Sequence, residues 1–159
     1  MYGRIVRKMK SQGFTDLREV FCVLGNAMQY NWLLSSYECY PFIPGKIPHD
    51  KDYVWLAGDE FMDIVEEYNI QFIWGIAAAF NKNITLEEVL QYPIADAQEY
   101  VGYYQQSLTM QNPLADMEIY PIDSSFLIIV SKSQEVIEKF ANEYSDSENL
   151  VQYNRKALQ

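Results

Sequence analysis

The chain has 159 residues, 49% of them hydrophobic, and a formal net charge of −10 at pH 7. This length and this apolar content are sufficient for one globular domain with its own core, which we expect to span 1–159. The negative charge repels a nucleic-acid backbone, and no apolar stretch reaches the roughly 18 residues of a membrane span, so we expect neither nucleic-acid binding nor membrane insertion.

A helix and an aromatic strand are predicted near the start of the chain. Residues 15–26 carry apolar side chains at helical spacing. Thr15 or Asp16 is available as the N-cap of this helix, and Gly25 is a typical stop signal. The aromatic-rich stretch 30–40 is typical of a strand.

A proline-rich loop leads into the middle of the chain. The segment 41–52 contains three prolines and one glycine, which predicts an irregular connection. Residues 54–57 then predict a short strand, and 59–67 predict an amphipathic helix, because its apolar and acidic residues fall on opposite faces. The almost continuously apolar run 70–80 is typical of a central strand that is covered on both faces.

A short helix follows this strand. Thr85 and Glu88 have the spacing of a capping box, in which each side chain bonds to the backbone amide of the other residue. The segment 93–113 stays open between helix and loop, because Gly102 weakens the helical pattern of the tyrosines around it.

The last third of the chain predicts a strand hairpin and a closing helix. The two strands are expected at 115–123 and 125–132, and 133–144 carries a helical apolar stripe. We expect 146–159 to be either disordered or loosely docked. Short connections between neighbouring strands favour an α+β fold, with a mixed or mainly antiparallel sheet of about four to six strands packed against three to four helices.

The sequence Asp-Ser-Ser at 123–125 raises the question of a serine nucleophile. Ser124 and Ser125 lack the flanking glycines of a nucleophile elbow and have no imidazole nearby in the sequence. Asp and Ser are favoured in turns, because their side chains bond to neighbouring backbone amides. We therefore interpret 123–125 as a turn. By similar reasoning, Ser131 is predicted to cap the last helix, with Gln134 as its partner.

Cysteine and histidine usage restricts the available chemistry. Cys22 and Cys39 are expected to be reduced, since the chain has an adequate core and no apolar export segment. The absence of that segment also predicts a cytoplasmic location. His49 is the only histidine, so any catalytic triad or histidine metal site must include it. We expect no cofactor, no metal and no catalytic residues.

The helix at 59–67 is the main candidate for a binding surface. Its acidic residues lie opposite its apolar stripe: Asp59, Glu60, Asp63, Glu66 and Glu67. Such a face either solvates a surface helix or presents negative charge to a basic partner. A divalent cation is a weaker alternative, because no EF-hand loop pattern is present. A basic protein is the expected partner, and the oligomeric state stays open.

Aromatic residues provide a second candidate surface. The chain has 13 tyrosines, and tyrosine suits recognition surfaces because it combines an apolar ring with a polar tip. The tryptophans in strand-like runs are expected in the core: Trp32, Trp55 and Trp74. The tyrosines expected at a partner-binding surface are Tyr100, Tyr103 and Tyr104.

The loop at 41–52 provides an alternative site of a different kind. His49, Asp50 and Asp52 form the one acid-base cluster that the sequence offers. An enzyme or a small-ligand protein would place these groups in a pocket between the loop and the sheet.

A resemblance supports a binding role. The layout YNWLLSSYEC, WLAGDEF, QFIWG, NPLADMEI and DSSFLIIVSK resembles small single-domain bacterial proteins without an assigned activity. The acidic α+β character without a catalytic set is also similar to that of toxin-neutralising immunity proteins. The resemblance implies a non-catalytic protein-binding role, immunity-like or regulatory, and it assigns no functional residue.

Overall fold

A seven-stranded antiparallel sheet forms the centre of the molecule. The computed structural model describes residues 1–10 and 15–157. Within them the strands are β1 (Tyr2–Val6), β2 (Tyr30–Tyr40), β3 (Tyr53–Ala57), β4 (Gln71–Asn81), β5 (Met117–Ile122), β6 (Phe126–Ser131) and β7 (Glu148–Asn149). Their order across the sheet is β3-β2-β4-β5-β6-β1-β7, so β3 and β7 form its two edges.

Five helices in the described part of the chain pack around this sheet. They are α1 (Leu17–Leu24), α2 (Gly58–Glu67), α3 (Leu86–Val89), α4 (Gln134–Glu143) and α5 (Leu150–Ala157), together with 3-10 turns at Ala27–Gln29 and Gly102–Tyr104. The single-domain α+β prediction is therefore confirmed. The described residues contain one strand and one helix more than the upper ends of the predicted ranges. Strands β1 and β7 have no sequence prediction, and α5 forms in 146–159, which the sequence predicts to be either disordered or loosely docked.

One face of the sheet is covered by α1, α2 and α4. Helix α1 begins after Asp16, whose carboxylate accepts the Arg18 amide at 2.9 Å. The rings of Phe21, Trp32 and Phe61 join α1, β2 and α2, with Phe21 lying 5.1 Å from each of the other two ring centroids. Burial of these rings fixes α2 on the sheet by its apolar stripe.

The other face is covered by shorter elements and irregular chain. Tyr103 and Tyr120 pack here with ring centroids 5.7 Å apart. The Asn154 side chain on α5 donates hydrogen bonds of 2.9 Å to the carbonyls of Tyr103 and Gln105. Leu150 of the same helix is fully buried. These contacts dock α5 against the Gly102–Tyr104 turn.

Both faces of β4 are covered, as its apolar sequence predicts. Ala77 and Ala79 belong to the core under α1, α2 and α4, whereas Ile76, Ala78 and Phe80 belong to the core on the opposite face. No helix in the described residues is long and apolar enough to cross a membrane.

The turn and cap predictions have different outcomes. Asp123 and Ser124 have positive φ angles of 48° and 55°, and the Ser125 amide bonds to the Ile122 carbonyl at 2.9 Å, so the predicted turn is confirmed. The predicted cap at Ser131 is wrong. Ser133 is the N-cap of α4, because the chain continues two residues beyond β6 before the first helical residue.

Candidate functional site

The acidic face of α2 consists of Asp59, Glu60, Asp63, Glu66 and Glu67, all exposed to solvent. Glu67 forms an ion pair with Lys46, with a distance of 3.8 Å between the Nζ and Oε2 atoms. Among the described residues, the other four acids have no ion pair and no side-chain hydrogen bond. Within the part of the chain that the structure describes, the face therefore presents four negative charges that are not neutralised by a basic side chain.

Buried side chains on the opposite side of α2 fix the position of the acidic face. Phe61, Ile64 and Val65 are at most 3% exposed and anchor α2 in the core. Asp59 and Glu60 lie in the first turn, where negative charge interacts favourably with the helix dipole. The acids are thus held on a packed helix, and binding would cost little ordering of the backbone.

A mainly apolar groove of about 410 Å³ lies beside the acidic face, between α1 and α2; we call it the α1–α2 groove. Its lining comprises Arg18, Phe21, Cys22, Gly25, Asn26, Met28, Gln29, Met62, Val65 and Glu66. Met28 is 52% exposed, and methionine side chains adapt to different binding partners. Glu66 belongs to both the groove and the acidic face, so the two surfaces are continuous.

A second cleft lies where β2 and β4 lose their regular register; we call it the bulge cleft. Ser36 has a φ of 46°, and the register shifts between Ser35 and Cys39. The cleft is lined by Ser36, Tyr37, Glu38, Lys51, Asp52, Trp74, Ile94, Ala95, Asp96 and Gln98. Bulges re-aim side chains, and they occur often beside binding sites.

Trp74 in the bulge cleft corrects a prediction. It is 37% exposed, so its assignment to the core is wrong, whereas Trp32 is fully buried as expected. Its indole N–H donates a 2.5 Å hydrogen bond to Glu38 Oε2. The bulge places the Trp74 ring at the surface, although the strand is apolar on both sides. Gly75 is the sequence signal that was missed, since an isolated glycine in a strand often marks a bulge.

The acid-base cluster predicted for 41–52 is divided between surfaces. Asp52 lines the bulge cleft and also a cleft along β3, and Asp50 lines the cleft along β3. His49 is exposed, lies 5.6 Å from the Phe42 ring, and lines neither cleft. The three groups therefore do not come together in either of these two clefts.

The tyrosine patch is also divided. Tyr103 is 1% exposed and belongs to the core, so it is not available to a partner. Tyr104 is 44% exposed, and Tyr100 is half-buried with its hydroxyl 2.5 Å from Thr109 Oγ1. The segment 93–113, which the sequence leaves open between helix and loop, forms a 3-10 turn at Gly102–Tyr104, and this turn does not place the three tyrosines on one exposed face.

Buried charge occurs at Glu118, behind this turn. Its carboxylate accepts hydrogen bonds from the Tyr103 hydroxyl and from the amides of Gln111 and Asn112, at 2.6 to 3.0 Å. Burial raises the pKa of Glu118 above its ordinary value despite these donors. These donors link the carboxylate to the Gly102–Tyr104 turn and to the loop before β5.

Within the described residues, no group of three or more His, Cys, Asp or Glu side chains is placed to hold a metal ion. Cys22 is exposed and Cys39 is buried, and neither forms a disulfide there. Comparison of the chain with family models, with curated proteins and with solved structures finds no match in any of the three.

Proposed function

We propose that the protein is a non-catalytic binding protein, immunity-like or regulatory, that holds a basic protein partner on the acidic face of α2. The observation that carries the proposal is the set of four exposed acids without an ion pair, Asp59, Glu60, Asp63 and Glu66. These exposed acids form no ion pair within the described residues, so a partner of complementary charge does not have to break one on binding.

The α1–α2 groove supports this proposal because it offers apolar contacts beside the acidic face. Charged rims chiefly steer association, whereas apolar contacts in a central pocket supply most of the affinity. Met28 and Met62 offer that apolar contact next to Glu66. The expected partner surface thus combines basic residues with at least one apolar side chain that enters the groove.

Affinity capture with matched variants tests the proposal. One variant carries Asp59→Asn, Glu60→Gln, Asp63→Asn and Glu66→Gln. The control carries Glu87→Gln, Glu99→Gln, Asp123→Asn and Asp146→Asn, which removes the same charge from exposed positions elsewhere. At low ionic strength, wild type and control should retain one basic protein from the source cells, and the α2 variant should lose it. Retention by all three proteins, or by none, contradicts the proposal.

The bulge cleft supports a second candidate, a small-ligand site of a binding protein or enzyme. The observation in its favour is Trp74, whose exposed ring is oriented by Glu38 beside the polar groups of Lys51 and Asp52. An exposed ring of this kind can stack on a flat ligand or face a cation.

Ligand-detected NMR with a fragment mixture separates the two candidates. In the small-ligand case, wild type binds at least one fragment, and Trp74→Ala abolishes that binding while Tyr104→Ala, at an exposed tyrosine outside the cleft, does not. If no fragment shows a dependence on Trp74, the second candidate is dismissed.

A further inference from the structure

Strand β3 leaves one side of its backbone open. It pairs with β2 from Asn31↔Ala57 to Ser35↔Tyr53, and no other strand of the described residues lies beside it. Beyond the regular ladders, the backbone hydrogen bonds of the described residues include none from 53–57. In an antiparallel edge strand, alternate residues direct both N–H and C=O outward. These groups are therefore available to another strand.

The two edges of the sheet are protected differently. Strand β7 has two residues, and the chain continues directly into α5. Strand β3 has five residues with the sequence YVWLA, which contains neither the Pro nor the charged side chains that usually protect an edge. The protein thus blunts one edge and leaves the other suited to strand pairing.

A cleft of about 630 Å³ runs along this open edge; we call it the edge cleft. Tyr53, Val54 and Trp55 form its strand side, and the rest of its lining consists of Gly45, Lys46, Pro48, Asp50, Lys51, Asp52 and Leu86. Trp55 is held from beneath by Phe80, with ring centroids 5.6 Å apart. An added strand would therefore find both backbone partners and apolar contacts for its alternate side chains.

The lining of the edge cleft contains two lysines and two aspartates, so the excess negative charge beside it comes from the acids of α2. Glu67 forms an ion pair with Lys46, and Lys46 lines the edge cleft. This flank of α2 therefore faces the open edge. Glu60 lies two turns earlier on the same flank. A second copy paired through β3 would bring two acidic α2 helices onto one face of a continuous sheet, where they repel each other. An extended basic segment would instead gain attraction.

We propose that the open edge of β3 accepts an extended, basic segment of a partner protein by strand addition. This proposal rests on the proposed function, because the acids of α2 select the charge of that segment. Backbone hydrogen bonds to the edge supply sequence-independent affinity, and the alternating side chains of the segment meet α2 on one face and the edge cleft on the other.

The probe is an acetylated and amidated peptide of four Val-Lys repeats, with a fully N-methylated peptide of the same sequence as control. The control keeps the charge but has no backbone donors. Amide hydrogen exchange of the whole protein, followed by NMR, is the measurement. Saturating Val-Lys peptide should slow exchange about tenfold at alternate amides of 53–57, and the N-methylated peptide should not. Equal effects of the two peptides, or no slowing at 53–57, overturn strand addition.

Two further measurements separate the possible failures. Glu60→Gln with Glu67→Gln should weaken peptide binding, and Glu87→Gln with Glu99→Gln should not. If the α2 substitutions leave the protection of the 53–57 amides unchanged, strand addition occurs but the acidic face does not select the segment. If peptide binding requires the α2 acids but the 53–57 amides show no protection, the proposed function stands and strand addition at β3 is rejected. Dimers in sedimentation equilibrium with the same protection and no peptide identify a second copy as the occupant and overturn the choice of a partner.

Discussion

The hydroxyl of Tyr103 donates a 2.6 Å hydrogen bond to the carboxylate of Glu118, the second residue of β5. Two backbone amides donate to the same carboxylate, so Glu118→Ala leaves three buried donors without an acceptor. We expect this change to lower the free energy of unfolding by about 2–4 kcal/mol. Urea denaturation measures it, and Glu99→Ala at an exposed position is the control. A loss as small as that of the control would show that the buried carboxylate does not hold the loop.

Glu118 also predicts a dependence of stability on pH. Burial raises its pKa in the folded state above the unfolded value, so the folded state holds the proton more tightly. The resulting stabilisation is fully present below the unfolded pKa of about 4.3 and is lost as the pH rises through the folded pKa.

The comparison protein for this dependence is Glu118→Gln, which cannot titrate at this position. The difference in unfolding free energy, wild type minus variant, should decrease as the pH rises from below the ordinary carboxyl value. Urea denaturation at a series of pH values measures this difference. A difference that is constant or increases with pH contradicts a raised pKa.

Gly75 is predicted to be essential for the bulge cleft. Its φ is 148°, and an added Cβ would lie 2.9 Å from Tyr37 Cβ. Gly75→Ala should therefore cost about 2–4 kcal/mol through backbone strain and overpacking together. Gly45 also has a positive φ, of 78°, but open space lies around it. Gly45→Ala should therefore lower the free energy of unfolding by only about 1 kcal/mol. Thermal unfolding of both variants separates the two causes, and equal losses would exclude the contact with Tyr37.

Elements with a strong local pattern could be predicted from the sequence, whereas elements defined by distant contacts could not. The apolar run of β4 and the two-faced pattern of α2 are both local. Strand β1 is different, because Arg4 interrupts its apolar pattern. The Arg4 guanidinium donates to Ser147 Oγ at 2.7 Å, and this partner lies 143 residues away in the sequence. No local pattern contains that contact.

The candidate surfaces divide in the same way. The acids of α2 follow from helical periodicity, and the structure shows them exposed on the helix that the sequence predicts. The bulge cleft depends on the register of β2 against β4, which places Trp74 opposite Glu38. Tyr103 is buried, and its hydroxyl donates a hydrogen bond to the Glu118 carboxylate on β5. Its burial therefore depends on a contact with a residue 15 positions later in the sequence, which the spacing of the tyrosines does not contain.

The association rate of the captured partner is expected to depend on the acidic face of α2. Exposed rim charges act mainly on the rate of encounter, and salt screens them. Neutralising Asp59, Glu60, Asp63 and Glu66 should have little effect on the free energy of unfolding, because these side chains have no partner in the described part of the protein. A large loss of stability would mean that these acids have a structural role.

Stopped-flow association at low and at physiological salt tests this account most directly. It compares wild type, the variant of these four acids, and the control variant altered at Glu87, Glu99, Asp123 and Asp146. We expect fast, salt-sensitive association for wild type and control, and slower association with a flatter salt dependence for the α2 variant. Equal rates for all three proteins at both salt concentrations would contradict it.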